Sequence, residues 1–113
     1  YKNSASDDLL KIVKGRMCHL ENVKIYKGYF PECAGVIEDK FCFVNLDMDL
    51  YKPTLAGLKF FWDRMEKGGI ILVHDYFSVG YKGVEAAVEE FIKENAVDLF
   101  PIGDSISVGM TKR

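Results

Sequence analysis

The sequence predicts an α/β fold, in which a mostly parallel sheet is flanked by helices and ends in a C-terminal antiparallel hairpin. Two apolar runs, residues 41–46 and 70–73, have the length and composition of buried strands. The segment between them carries apolar residues three or four apart, as on the apolar stripe of a helix: Leu55, Leu58, Trp62 and Met65. Strand, helix and strand within about 35 residues form a βαβ unit, whose right-handed crossover makes the two strands parallel.

The ends of the central helix and the burial of its flanking strands follow from the same stretch. Pro53 suits the first helical turn, where a missing N–H costs no hydrogen bond, and Gly68-Gly69 suit the exit, where a left-handed residue is favoured. Both apolar runs lack polar alternation, which is typical of strands that helices cover on both faces. We therefore expect Cys42, within the first run, to be buried.

Length and composition indicate one domain with a real core, because the 113 residues are 49% hydrophobic. Interspersed acids and bases leave a formal net charge of -2, which argues against nucleic acid, whose backbone demands a basic face. No apolar run approaches the roughly 18 residues of a membrane span, and no signal-peptide pattern opens the chain, so no membrane is expected and the cytoplasm is the predicted location. Cys18, Cys33 and Cys42 are odd in number and irregularly spaced, which predicts free thiols.

Further elements precede and follow the central unit. Residues 7–20 have helical periodicity, and residues 23–30 are predicted to form a strand more exposed than the next two. Residues 83–94 form a second amphipathic helix, and residues 98–102 and 105–110 a hairpin. No glycine-rich phosphate-binding motif occurs, so residues 1–113 are expected to be the C-terminal portion of a larger α/β domain that lacks its first βαβ unit.

Some polar and aromatic residues are given structural interpretations. The outward positions of the second amphipathic helix are most simply a solvated face: Glu85, Glu89, Glu90 and Lys93. Tyr51 and Tyr76 each follow an acid closely and could line a pocket, although an aromatic residue near a strand end more often serves packing.

Acidic side chains follow both apolar runs. Asp47 and Asp49 come after the first, and His74 and Asp75 after the second. Parallel strands share one C-terminal edge, and ligands of open α/β sheets bind at that edge. Because hard divalent cations prefer carboxylate oxygens, we assign Asp47 and Asp75 to a metal ion.

The other two residues leave alternatives open. Asp49 is either a third ligand or a base beside the ion. His74 is either a nitrogen ligand, which would shift the preference from Mg²⁺ towards Mn²⁺ or Zn²⁺, or a residue that supports the ligands. The competing interpretation is that each Asp is a turn former or a helix cap.

Four segments together resemble the macrocin O-methyltransferase family of class I S-adenosylmethionine-dependent methyltransferases. They are KGYFPE at 27–32, LDMDLYKPT at 46–54, GGIILVHDY at 68–76 and KGVEAAVEEF at 82–91. The resemblance covers about residues 20–113. It implies a partial Rossmann-like methyltransferase fold and metal-assisted methylation of a sugar or glycoside hydroxyl, with S-adenosylmethionine and Mg²⁺ or another divalent cation as cofactors.

The resemblance also implies roles for the acidic residues. Asp47 and Asp75 become metal ligands, and Asp49 becomes the proposed catalytic base. His74 occupies the position of the first acid of the family's DDY motif, which puts the identity of the metal in question.

The unit that supplies the donor-binding loop in this fold has no counterpart in the chain. We therefore expect the isolated chain to be a fragment that binds the methyl donor poorly. The strand at 41–46 would present an open apolar edge, which predicts a homo-oligomer or a longer protein.

Two other functions compete with this one. Haloacid dehalogenase-like phosphatases also carry D-x-D after a buried strand, but they usually have Thr or Val at the position of Tyr51. A methyltransferase-like domain without catalysis, retained as a scaffold or dimerisation module, would account for the missing donor loop and for His74. The acceptor is not predicted.

Overall fold

The computed structural model describes residues 3–113, with side chains from Asp8 onward. The elements, in chain order, are α1 (Asn3–Met17), a 3₁₀ turn (Glu32–Ala34), β1 (Phe41–Leu46), α2 (Tyr51–Trp62), β2 (Met65–Val73), α3 (Lys82–Asn95), β3 (Leu99–Pro101) and β4 (Val108–Thr111). The α/β class, the central βαβ unit, the second amphipathic helix and the terminal hairpin are confirmed. The predicted helix at 7–20 begins earlier and ends earlier, at Met17.

The four strands form one sheet in the order β1-β2-β4-β3. β1 and β2 pair in parallel, as the crossover through α2 requires. β2 pairs with β4, and β4 with β3, in antiparallel fashion. Of these three pairings only one is parallel, so the expectation of a mostly parallel sheet is corrected to a mixed sheet. The reason is that the hairpin returns β4 directly alongside β2.

Gly68 and Gly69 lie inside β2 and do not end α2 as predicted. The helix ends at Trp62, and a turn joins it to β2, with the Phe41 amide donating to the Arg64 carbonyl at 2.8 Å. A side chain at Gly69 would lie 2.9–3.0 Å from two backbone carbonyls, and Gly68 has a φ of +87°. The two glycines therefore permit an irregular start of β2, where the register with β1 shifts.

The core lies between one face of the sheet and helices α2 and α3. Leu58, Ile71, Val84 and Met110 are each 0% exposed. The opposite face is open among the described residues, since Phe43 is 49% exposed and its partner on β2, Ile70, is 38% exposed. The prediction that helices cover both faces of β1 is therefore wrong. The expected burial of Cys42 is also wrong, because Cys42 is exposed where the register between β1 and β2 is irregular. The alternating burial along β1 shows a strand packed on one side only.

The segment at 23–30 forms no strand, which corrects the prediction. It runs beside α1, and Ile25 lines a small cavity there with Leu10 and Val13. The ring of Phe30 then packs on α2, at 5.9 Å from the ring of Phe61. An extended segment becomes a strand only when another strand pairs with it, and this segment packs through side chains instead.

Two further predictions concern the whole described chain. The three cysteines are free thiols, as expected. Among the described helices, none combines the length and the apolar character needed to cross a membrane.

Candidate metal and active site

The two acid-bearing loops leave the sheet side by side. The last residues of β1 and β2, Leu46 and Val73, are partners in the parallel register. Asp47 and His74 therefore start from neighbouring positions, and the His74 amide donates a hydrogen bond to the Leu46 carbonyl at 2.8 Å. The two strand ends converge as the sequence predicts.

Asp47, His74 and Asp75 bring three potential ligand atoms together. His74 Nδ1 lies 3.2 Å from Asp47 Oδ1 and 2.9 Å from Asp75 Oδ2. All three atoms lie within 4.8 Å of one another. The Asp47 side chain is 58% exposed and the Asp75 side chain 9% exposed, so the cluster is open to solvent on the Asp47 side and closed behind Asp75.

The ring nitrogen at the centre of this cluster has no hydrogen-bond acceptor in good geometry among the described residues. His74 Nδ1 is shielded from solvent, and the nearby Asp75 oxygen is close enough for an ion pair but lies off the direction of a ring N–H. A shielded nitrogen between two carboxylate oxygens calls for a cation, which is either a proton on the imidazole or a metal ion.

The spacing of the ligand atoms suits a small divalent ion. Six-coordinate Mg²⁺ has bonds of roughly 2.1 Å, which places adjacent ligand atoms about 3 Å apart. The separations of 2.9 and 3.2 Å from His74 Nδ1 match adjacent positions. Asp47, His74 and Asp75 could therefore occupy three positions around one ion.

Asp49 lies beside these three residues. Partial desolvation, a hydrogen bond with Asp75 and the negative charges of Asp47 and Asp75 raise the pKa of the Asp49 carboxyl, while His74 opposes them. Asp49 and Asp75 both have left-handed backbones, with φ of 62° and 68°. Asp tolerates this region better than most residues, although such positions persist only when their surroundings hold them.

The charge state of His74 depends on its acidic neighbours. The close Asp75 carboxylate raises the pKa of His74 against desolvation, and Asp47 and the more distant Asp104 add to the rise. Asp104, in the β3–β4 loop, is held by the Ser107 hydroxyl at 2.6 Å and by the amides of Ser107 and Ile106. These hydrogen bonds lower the pKa of Asp104 to about 2, so it stays negative.

Comparison with known protein families identifies the family of the chain that carries this site. The model of the macrocin O-methyltransferase (TylF) family matches residues 18–106. The chain belongs to this family. No curated protein matches it. Membership argues against the haloacid dehalogenase-like alternative.

Solved structures agree on the fold. The O-methyltransferase NovP has a TM-score of 0.77 at 21% identity, over 90% of this chain and 44% of NovP. CalS11, a TDP-rhamnose 3'-O-methyltransferase of calicheamicin biosynthesis, has a TM-score of 0.56 at 20% identity, over 64% of this chain and 32% of its own. The chain thus spans less than half the length of either structure.

Sequence patterns did not indicate every residue around the site of this family member. Asp104 was predicted only as part of a turn, and no local signal shows that its loop lies near His74. Glu89 and Glu90 were predicted to be solvated, yet Glu90 accepts a hydrogen bond from the Tyr51 hydroxyl at 2.8 Å, and Glu89 accepts one from the Tyr76 hydroxyl. Helical periodicity predicts which face of the helix a residue lies on, but these partners come from distant parts of the chain, the start of α2 and the loop after β2.

Proposed function

We propose that the protein is, or is part of, an S-adenosylmethionine-dependent, metal-assisted O-methyltransferase that acts on a sugar or glycoside hydroxyl. Family membership supports methyl transfer, and the two neighbours named above are O-methyltransferases, one of them acting on TDP-rhamnose. The proposal that a metal ion binds is supported mainly by the shielded His74 Nδ1, which lies between two carboxylate oxygens.

The residues of this chain take separate roles. Asp47, His74 and Asp75 would hold the ion, which supplies Lewis-acid polarisation of the acceptor hydroxyl when bound. Asp49 would accept the hydroxyl proton on its carboxylate. Its position beside Asp47 and Asp75 supports this role, because a general base must lie within reach of the hydroxyl whose proton it accepts. No residue described here is assigned to the methyl donor.

Removal of one ligand tests the metal role. In Asp47→Asn the side chain keeps its shape and loses its charge, so we expect Mn²⁺ affinity, measured by calorimetry, to fall by more than about 100-fold. We expect methyl transfer by the complete protein from labelled S-adenosylmethionine to glycosides to fall with it. Asp98→Asn is the matched control, since Asp98 is exposed and paired with Arg113 at 2.9 Å. Full methyl transfer by Asp47→Asn would overturn the role of the ion.

His74 sets the metal preference in this proposal. An imidazole nitrogen favours Mn²⁺ or Zn²⁺ relative to an all-oxygen site. We expect His74→Asp, which introduces the acid that the family resemblance places here, to shift preference towards Mg²⁺. Competition between Mn²⁺ and Mg²⁺, followed by calorimetry in wild type and variant, measures the shift. Unchanged preference would remove His74 from the ligands.

We also propose that the open edge of β1 contacts a second copy of the chain. β1 is the end strand of the described sheet, and Phe43 on it is 49% exposed. An apolar edge strand favours pairing, and a charge on it opposes pairing. Phe43→Lys should therefore lower the mass in analytical ultracentrifugation, whereas the exposed Lys52→Ala should not. A wild-type protein that is monomeric at all concentrations would refute the proposal.

A further inference from the structure

The loop that carries His74 and Asp75 is tethered at three points. At its start, the His74 amide donates to the end of β1. At its far side, the Phe77 amide donates to the Ile106 carbonyl of the β3–β4 loop at 2.9 Å. Between them, the Tyr76 hydroxyl donates to the Glu89 carboxylate on α3. The third tether is the only one of the three made by side chains.

Tyr76 is well placed to hold the residue before it. Its ring packs against the core and meets the Phe77 ring at 4.8 Å, edge to face. Asp75 adopts a left-handed backbone, which only its surroundings can maintain. Anchoring the side chain of the next residue restricts the backbone at Asp75, and so restricts the carboxylate that approaches His74.

Glu89 keeps the bond in place. The Glu89 carboxylate can only accept, so the Tyr76 hydroxyl is the donor of this bond. Glu89 is only partly exposed, unlike Glu85 on the same helix. A hydrogen bond to a charged acceptor in a partly buried place is stronger than one between neutral groups.

Resting on the proposed function, we propose that Glu89 is a positioning residue, which acts through Tyr76 to fix the Asp75 loop in its ligand-holding geometry. Glu89 touches neither substrate nor ion in this proposal. Its acceptor oxygen is the required feature, and its charge strengthens the hydrogen bond. A neutral side chain with the same oxygen should therefore replace it only in part.

Three variants separate acceptor, charge and donor. Glu89→Gln keeps the oxygen, Glu89→Leu removes it, and Tyr76→Phe removes the donor. Glu94→Gln is the control, because Glu94 lies near the end of α3 and approaches Lys59 at 4.0 Å. Two readouts are measured for each protein: Mn²⁺ affinity by calorimetry, and hydrogen exchange of the Phe77 and Ser78 amides relative to the amides that join β2 to β4.

Loss of one hydrogen bond changes an equilibrium constant by about three- to tenfold. We expect Glu89→Leu and Tyr76→Phe to weaken Mn²⁺ binding and to speed exchange at Phe77 and Ser78 by this factor, with β2 unchanged. Glu89→Gln, which keeps the oxygen and loses the charge, should lie between wild type and Glu89→Leu in both readouts. Equal acceleration of all amides, or wild-type values in Glu89→Leu, would overturn the positioning role. If wild type binds no Mn²⁺, the metal role fails, and the exchange ratios still decide whether Glu89 holds the loop.

Discussion

The close crossing of α2 and α3 beside the site gives a prediction that the structure makes quantitative. Gly83, in the first turn of α3, faces the first residue of α2, and a Cβ there would lie 3.0 Å from the Tyr51 amide nitrogen and 3.2 Å from its Cβ. Ordinary contacts begin at 3.4 Å, so these two are shorter by 0.4 and 0.2 Å. Because the nearest atom belongs to the backbone, no side-chain rotation relieves the overlap.

Two effects oppose each other in Gly83→Ala. Overpacking costs about 1–3 kcal/mol, whereas replacing Gly by Ala in a helix gains at most about 1 kcal/mol. The strain should win, which leaves a net loss of about 1–2 kcal/mol in the free energy of unfolding. At this chain length that corresponds to a melting temperature lower by roughly 4–8 °C.

Urea unfolding followed by circular dichroism measures the loss. Gly15→Ala is the matched control, because a Cβ at Gly15, within α1, meets nothing within 4 Å. This control should be neutral or slightly stabilising, since only the helix-propensity gain remains. A Gly83→Ala protein as stable as wild type, with Gly15→Ala behaving as expected, would refute the tight crossing of the two helices.

Three further predictions concern the core and the response to pH. Leu58→Ala should lower the free energy of unfolding by about 3 kcal/mol, because Leu58 is 0% exposed. In the same urea titration, Lys52→Ala on the outside of α2 should change this free energy by less than about 0.5 kcal/mol. The pKa of Asp104 falls from 3.8 to about 2 on folding, so Asp104 contributes stability above pH 3.8 that is lost as the pH falls towards 2. Asp104→Asn should therefore make stability less dependent on pH in this acid range. The pH dependence of stability has the opposite sign for His74. Its raised pKa contributes stability below pH 6.5, and this stability is lost as the pH rises through the folded-state pKa. Asp75→Asn should lower the pKa of His74 in an NMR titration of the ring. An unchanged acid limb, or an unchanged titration of His74, would contradict these assignments.

Local sequence determined the elements around the site and their order. The apolar runs, the helical period of α2 and the acids at the ends of β1 and β2 are local signals, and a parallel βαβ crossover brings such ends together without further information. For that reason Asp47, His74 and Asp75 could be named as neighbours before their distances were known. The family resemblance rested on the same segments.

Tertiary structure decided what depends on pairing and packing partners. Residues 23–30 have strand-like composition but no strand beside them, so they pack on α1 and α2 instead. Phe43 lies in an apolar run, yet burial depends on what covers a face, and one face of β1 is open. Gly68 and Gly69 resemble a helix exit, but their backbones pair with Lys112 next to β4, with hydrogen bonds of 2.7 and 2.9 Å, which makes them part of β2.

The same distinction holds within the site. Sequence alone indicated which residues are candidates for the chemistry, because Asp and His at strand ends are recognisable by type and position. Only the tertiary structure decided that Nδ1 of His74 lies between two carboxylates, and that Glu89 reaches Tyr76. The physical reason is that hydrogen bonds and pKa shifts act over a few ångströms, and residues far apart in the chain reach such distances only through the packing of helices on the sheet.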